Sequence, residues 1–155
     1  MCIRDRSTSG TPSGPGWARK FLGPEYFDRV VYVGLFNTPD NDEWIEGFNR
    51  LKDVKTLLLS GSHVTDTTLI KMDRSDSLLE LHLTNTAVTD EGLRALGKFP
   101  NLRWLIANGT SVTDEGMIHL LVLRDLQDVN VANTRVSKEA VDRLRANIAK
   151  RSVER

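Results

Sequence analysis

The sequence predicts an α/β solenoid: a right-handed, curved stack of five 24-residue blocks, with a parallel sheet on the concave face and short helices on the convex face. Three observations carry this. The string Val64-Thr65-Asp66 returns as Val88-Thr89-Asp90, Val112-Thr113-Asp114 and Val136-Ser137-Lys138 at an unbroken 24-residue interval. Apolar residues fill the same places in each block. A hydroxyl stands at one fixed place in all five.

The N-terminal elements come first. Met1-Cys2-Ile3-Arg4-Asp5-Arg6 matches what the transposon mosaic end used in sequencing libraries encodes in one frame, so residues 1–6 read as an adapter artefact. On that reading the native start, with any signal or anchor, lies upstream. Ser7–Gly16 contains only Ser, Thr, Gly and Pro, and residues 1–16 are expected to be a disordered linker. Residues 17–26, with Trp17, Phe21, Leu22 and Tyr26, read as a segment capping the open apolar end of the first block.

The five blocks occupy residues 27–146: Phe27–Arg50, Leu51–Arg74, Ser75–Lys98, Phe99–Val122 and Leu123–Ala146. The fourth position reads Val30, Val54, Leu78, Leu102, Leu126; the seventh Val33, Leu57, Leu81, Leu105, Val129; the ninth Leu35, Leu59, Leu83, Ala107, Val131. Seventh and ninth positions share the period of a strand and point to one face. The twelfth position is Thr38, Ser62, Thr86, Thr110, Thr134, a hydroxyl column expected to bond the backbone at the bend after each strand. The fourteenth is Asp40, then Val64, Val88, Val112 and Val136. The fifteenth, Asn41, Thr65, Thr89, Thr113, Ser137, consists of strong helix N-caps, and the acids after it suit the positive end of a helix. The nineteenth (Ile45, Leu69, Leu93, Met117, Val141) and twenty-second (Phe48, Met72, Leu96, Leu120, Leu144) fall on one side of a helix of about two turns. The last helix is expected to run from about Ser137 to Lys150, and residues 147–155 form a C-terminal cap and tail.

Composition narrows the function. Lys and Arg number 21 and Asp and Glu 21, so no bulk positive charge favours nucleic acid. No apolar run reaches membrane-spanning length, so no membrane contact is expected of these residues. One cysteine and three scattered histidines offer neither a disulfide framework nor a zinc finger. The Asp string lacks the Gly-centred loop that calcium needs. No cofactor and no metal are expected.

Leu78 to Leu93 carries the string L-x-x-L-x-L-x-x-T-x-V-T-D-x-G-L in full, and Leu102 to Met117 carries it with Ala107 and Met117 in two apolar slots. In this the chain resembles a family of bacterial leucine-rich-repeat proteins. The lead-in Gly14–Gly23 is also similar to the segment that precedes repeats in that family. The resemblance covers about residues 14–146 and implies a leucine-rich-repeat solenoid. It also implies a lost N-terminal anchor and a membrane-anchored or exported protein; without an anchor, the protein would be cytoplasmic. The repeats are similar to those of eukaryotic ubiquitin-ligase adaptors too, but there is no F-box segment and that function is not carried over.

Function is expected on the concave face. The sixth position (Tyr32, Thr56, Glu80, Trp104, Asp128) and the eighth (Gly34, Leu58, His82, Ile106, Asn130) point outward between core residues. Tyr32, Leu58, Trp104 and Ile106 should be exposed apolar groups, with Glu80, His82, Asp128 and Asn130 adding polar selectivity. Against this, strand faces favour aromatic and branched residues in any case. Ile118, His119, Leu121 and Val122 form a second apolar stretch on the helix side, for which packing between blocks is the simpler account. Glu80 beside His82 has no Ser or Cys nucleophile in a matching motif, so no enzyme is expected. The expected function is non-catalytic recognition of a protein or peptide. The alternatives are a structural spacer within a longer array, or a carbohydrate- or surface-binding module with Trp104 and Tyr32 as stacking platforms.

Overall fold

The computed structural model describes residues 2–4, 32–34, 43–51 and 53–153. Five short strands, β2 (Tyr32–Gly34), β3 (Thr56–Leu58), β4 (Glu80–His82), β5 (Trp104–Ile106) and β6 (Asp128–Asn130), pair in parallel and in chain order. Their register is the repeat: Val33, Leu57, Leu81, Leu105 and Val129 stand side by side. The strands are joined through helices α1 (Glu43–Asn49), α2 (Asp66–Lys71), α3 (Asp90–Ala95) and α4 (Asp114–His119), and α5 (Lys138–Val153) closes the stack. Short 3₁₀ turns at Leu96–Lys98 and Leu120–Val122 extend α3 and α4.

One expectation is corrected here. Inside the stretch read as linker, Cys2–Arg4 forms strand β1, antiparallel to β2, with Ile3 opposite Val33. A sheet edge offers free backbone donors and acceptors that pair with extended chain whatever its side chains. The rest of residues 1–16, the capping segment 17–26 and the start of the first block lie outside the described residues.

The core follows the columns. Leu57, Leu59, Leu78, Leu81, Leu83, Leu93, Leu96 and Leu102 are fully buried, and each contributes roughly 1.5–3 kcal/mol. Val136 and Val141, in the last block, are only partly covered. An unexpected column is the first position, where Leu51, Phe99 and Leu123 are buried. Ser75 interrupts it, and a cavity of about 430 Å³ lies there, bounded by Phe48, Leu51, Ser75 and Asp76.

Two polar columns hold the blocks. The hydroxyls of Ser62, Thr86, Thr110 and Thr134 donate to the carbonyls of Leu59, Leu83, Ala107 and Val131 at 2.5, 2.7, 2.7 and 2.6 Å, closing each bend within its own block. One residue earlier, Gly61, Asn85, Gly109 and Asn133 all have φ between 55° and 68°, the left-handed region that Gly and Asn enter most easily.

The Thr-Asp string works between blocks. Asp66 accepts from the backbone N–H of Thr89 at 2.8 Å and from its hydroxyl at 2.6 Å. Asp90 does the same for Thr113 (2.8 and 2.7 Å), and Asp114 for Ser137 (2.6 and 2.7 Å). The N-cap places expected of this column hold as well: Thr65, Thr89 and Thr113 head α2, α3 and α4, and the Thr65 N–H donates to the Thr68 hydroxyl at 3.2 Å in a capping box. Thr113 accepts from Glu115 N–H at 3.3 Å and Ser137 from Ala140 N–H at 3.2 Å, whereas the Thr89 side chain makes no cap bond. The glycine of the string has a matching cause: a Cβ on Gly92 would lie 2.5 Å from Asp66 Oδ1 and 2.6 Å from Val88 Cγ1. The Ser137 hydroxyl and N–H, helped by Arg143, hold the Asp114 carboxyl below its ordinary value.

Cations close the helix C-termini. Lys98 Nζ donates to the carbonyls of Ile70 and Met72, and the Arg151 guanidinium to those of Leu121 (2.6 Å) and Leu123 (3.3 Å).

Candidate interaction surface

Because the seventh position points into the core, the sixth and eighth point away from it, and the in-frame register lines them up in two rows. Thr56, Glu80, Trp104 and Asp128 are neighbours on successive strands, as are Leu58, His82, Ile106 and Asn130. Tyr32 and Gly34 extend the rows at β2, where the Tyr32 side chain lies outside the description.

Trp104 is 40% exposed, a large apolar area held by a strand whose next residue, Leu105, is fixed in the core. Leu58 and Ile106, expected to be exposed, are half-buried. Strands roughly 4.8 Å apart let neighbouring side chains shelter one another, and His82 stands between these two. Asp128 and Asn130, on the last strand, are exposed.

The polar groups are organised around Glu80. Its Oε1 lies 2.7 Å from His82 Nε2, and its Oε2 accepts from the Thr56 hydroxyl at 3.3 Å. Both partners hold the carboxylate in place, half-buried. Asp128 has a looser partner: Arg145 of α5 stands 3.9 Å away, with both side chains more than half exposed. Among the described residues no group of three or more His, Cys, Asp or Glu could hold a metal ion, and no helix is long and apolar enough to cross a membrane.

The helix side differs from expectation. Ile118 and Val122 are 63% and 64% exposed, and Leu121 is also exposed, so packing between blocks does not account for them. Positions nineteen and twenty-two face the core; these three residues sit at positions twenty, twenty-three and twenty-four and look outward. Beside them a groove of about 330 Å³ lies between α4 and α5, floored by Met117, Ala140 and Leu144. His63 is exposed and His119 half-buried.

Parallel strands in constant register, followed from β3 onward by a hydroxyl-closed bend and a short helix, define the protein as a leucine-rich-repeat solenoid. Solved structures of similar fold agree. They include the actin-binding site 2 of leiomodin-1, at TM-score 0.63 and 12% identity over 92% of this chain and 94% of that one. A leucine-rich-repeat protein of Leptospira interrogans follows at 0.53 and 21% over 82% of this chain, and internalin C2 of Listeria monocytogenes at 0.51 and 20% over 82%. The matched region is 32% of the Leptospira chain and 61% of the internalin chain. No protein-family model and no curated protein sequence matches the chain.

Proposed function

We propose that this protein is a non-catalytic scaffold that binds a protein or peptide through the strand face carrying Tyr32, Leu58, Glu80, His82, Trp104, Ile106, Asp128 and Asn130. The observation that carries the reading is Trp104: a large aromatic surface left 40% exposed on β5, a strand paired on both sides and too well anchored to withdraw it. Exposed aromatics on rigid supports are characteristic anchors of protein contacts. The Glu80–His82 pair supports recognition rather than catalysis. It lies on an open sheet that excludes little water, and its remaining partner is the hydroxyl of Thr56, which is spent on Glu80 itself. Leiomodin-1, by the name of its matched segment, binds actin; that is consistent with a protein partner for this chain and does not specify one.

The test is peptide selection. Binders drawn from a displayed random-peptide library on the wild-type protein are titrated against Trp104→Ala and Ile118→Ala. Loss of more than about tenfold with Trp104→Ala alone is expected, the effect of removing a single anchor. Unchanged affinity with Trp104→Ala would remove the strand face from consideration, and loss with Ile118→Ala alone would move the site to the helix side.

A further inference from the structure

The proposed strand face has a chemical bias that narrows its partner. In the sixth-position row Trp104 is flanked by Glu80 on one neighbouring strand and Asp128 on the other. Across both rows, from β3 to β6, the acidic side chains are these two carboxylates, and no Lys or Arg stands in either row. An aromatic ring attracts a cation through its quadrupole, and carboxylates on either side add to the same field.

We infer that this strip receives one basic side chain, an arginine or lysine of an extended peptide, set against Trp104 between Glu80 and Asp128; the inference rests on the strand face being the binding surface. Glu80 is suited to it. Two of the roughly four lone-pair directions of its carboxylate are used by His82 and Thr56, which leaves a fixed oxygen pair able to accept more. Asp128 already draws a guanidinium, that of Arg145, at a distance and exposure that an incoming cation can match or displace. Lys55 and Arg103 are exposed one residue before their strands and oppose a second positive charge nearby, so the strip fits a single cation rather than a polybasic run.

The experiment compares residue preferences. A random-peptide library is selected in parallel on the wild-type protein, on Trp104→Ala, on Glu80→Gln/Asp128→Asn, and on Glu91→Gln/Glu115→Gln. The last removes equal charge from exposed positions on the helix side. Wild-type binders should be enriched in Arg or Lys at one position. They should lose about tenfold in affinity on Glu80→Gln/Asp128→Asn and little on the helix-side control. Asp128→Asn alone, which leaves the Glu80 bonds intact, should cost about threefold, so a folding defect at Glu80 would not obscure the result. Binders that depend on Trp104 but show no basic preference would overturn this inference and leave the strand-face reading standing. Binders indifferent to Trp104→Ala would overturn the strand-face reading itself.

Discussion

The third block, Ser75–Lys98, and the last, Leu123–Ala146, are built from the same pattern and differ where it would serve a further block. Both keep the in-frame strand, the hydroxyl bond across the bend (Thr86, Thr134) and the left-handed Asn before it (Asn85, Asn133). Both keep the hydroxyl that donates back to the preceding Asp, Thr89 onto Asp66 and Ser137 onto Asp114. The third block then places Asp90 forward onto Thr113; the last has Lys138 in that slot and runs on into the 16-residue α5. Gly92 becomes Ala140. The comparison separates the residues that fold a block from those that couple it to the next.

The largest effect is expected where coupling and packing meet. Gly92→Ala should cost about 3 kcal/mol in urea denaturation, because its Cβ meets both Asp66 and Val88 and displaces the Asp66 bonds to Thr89. Ala140 occupies the equivalent place in the last block, so a cost near zero for Gly92→Ala would show that the Asp66 and Val88 contacts are not what demands glycine. Asp90→Ala should cost about 2 kcal/mol, since it leaves the Thr113 N–H without its acceptor, and it should broaden the transition as the blocks uncouple. An unchanged, equally steep transition would count against the coupling role. The smallest effect is on acid sensitivity. The Asp114 carboxyl is held below its ordinary value of 3.8, so its contribution is complete above that pH and lost as pH falls through the lower folded-state value. Asp114→Asn should flatten the acid limb of α5 helicity followed by circular dichroism; coincident limbs in both proteins would refute it.

Most of the fold is legible in the sequence because a solenoid writes its contacts as columns. Leu57, Leu81 and Leu105 are adjacent in space since they are equivalent in the period. The left-handed column was equally open to reading, as Gly61, Asn85, Gly109 and Asn133 show only the two residues that tolerate it. The Asp–Thr bonds were less so. Seen within one block, Thr89-Asp90 resembles a helix cap, and the true partner of Asp66 stands 23 residues on, in a different column. At the candidate site, Trp104 is exposed as its position requires, but Leu58 and Ile106 owe their partial burial to neighbours that alternation along one strand does not specify. On the helix side, Ile118 and Val122 look like interior residues by type and are exterior by angle.

The constant offset of the Asp–Thr bonds bears on how such a chain can change length. Excision of Ser75–Lys98 would bring Asp66 opposite Thr113, with Gly116 in the place of Gly92 and Leu57 beside Leu105, so the new junction would repeat the Asp–Thr bonds and the core column, losing the Lys98 bonds to Ile70 and Met72. Loss or gain of a number of residues that is not a multiple of 24 would set unlike columns against each other. The array is thus free to grow or shrink by whole blocks, as a ruler is cut at its marks, and the strand face would widen or narrow by one side-chain pair each time.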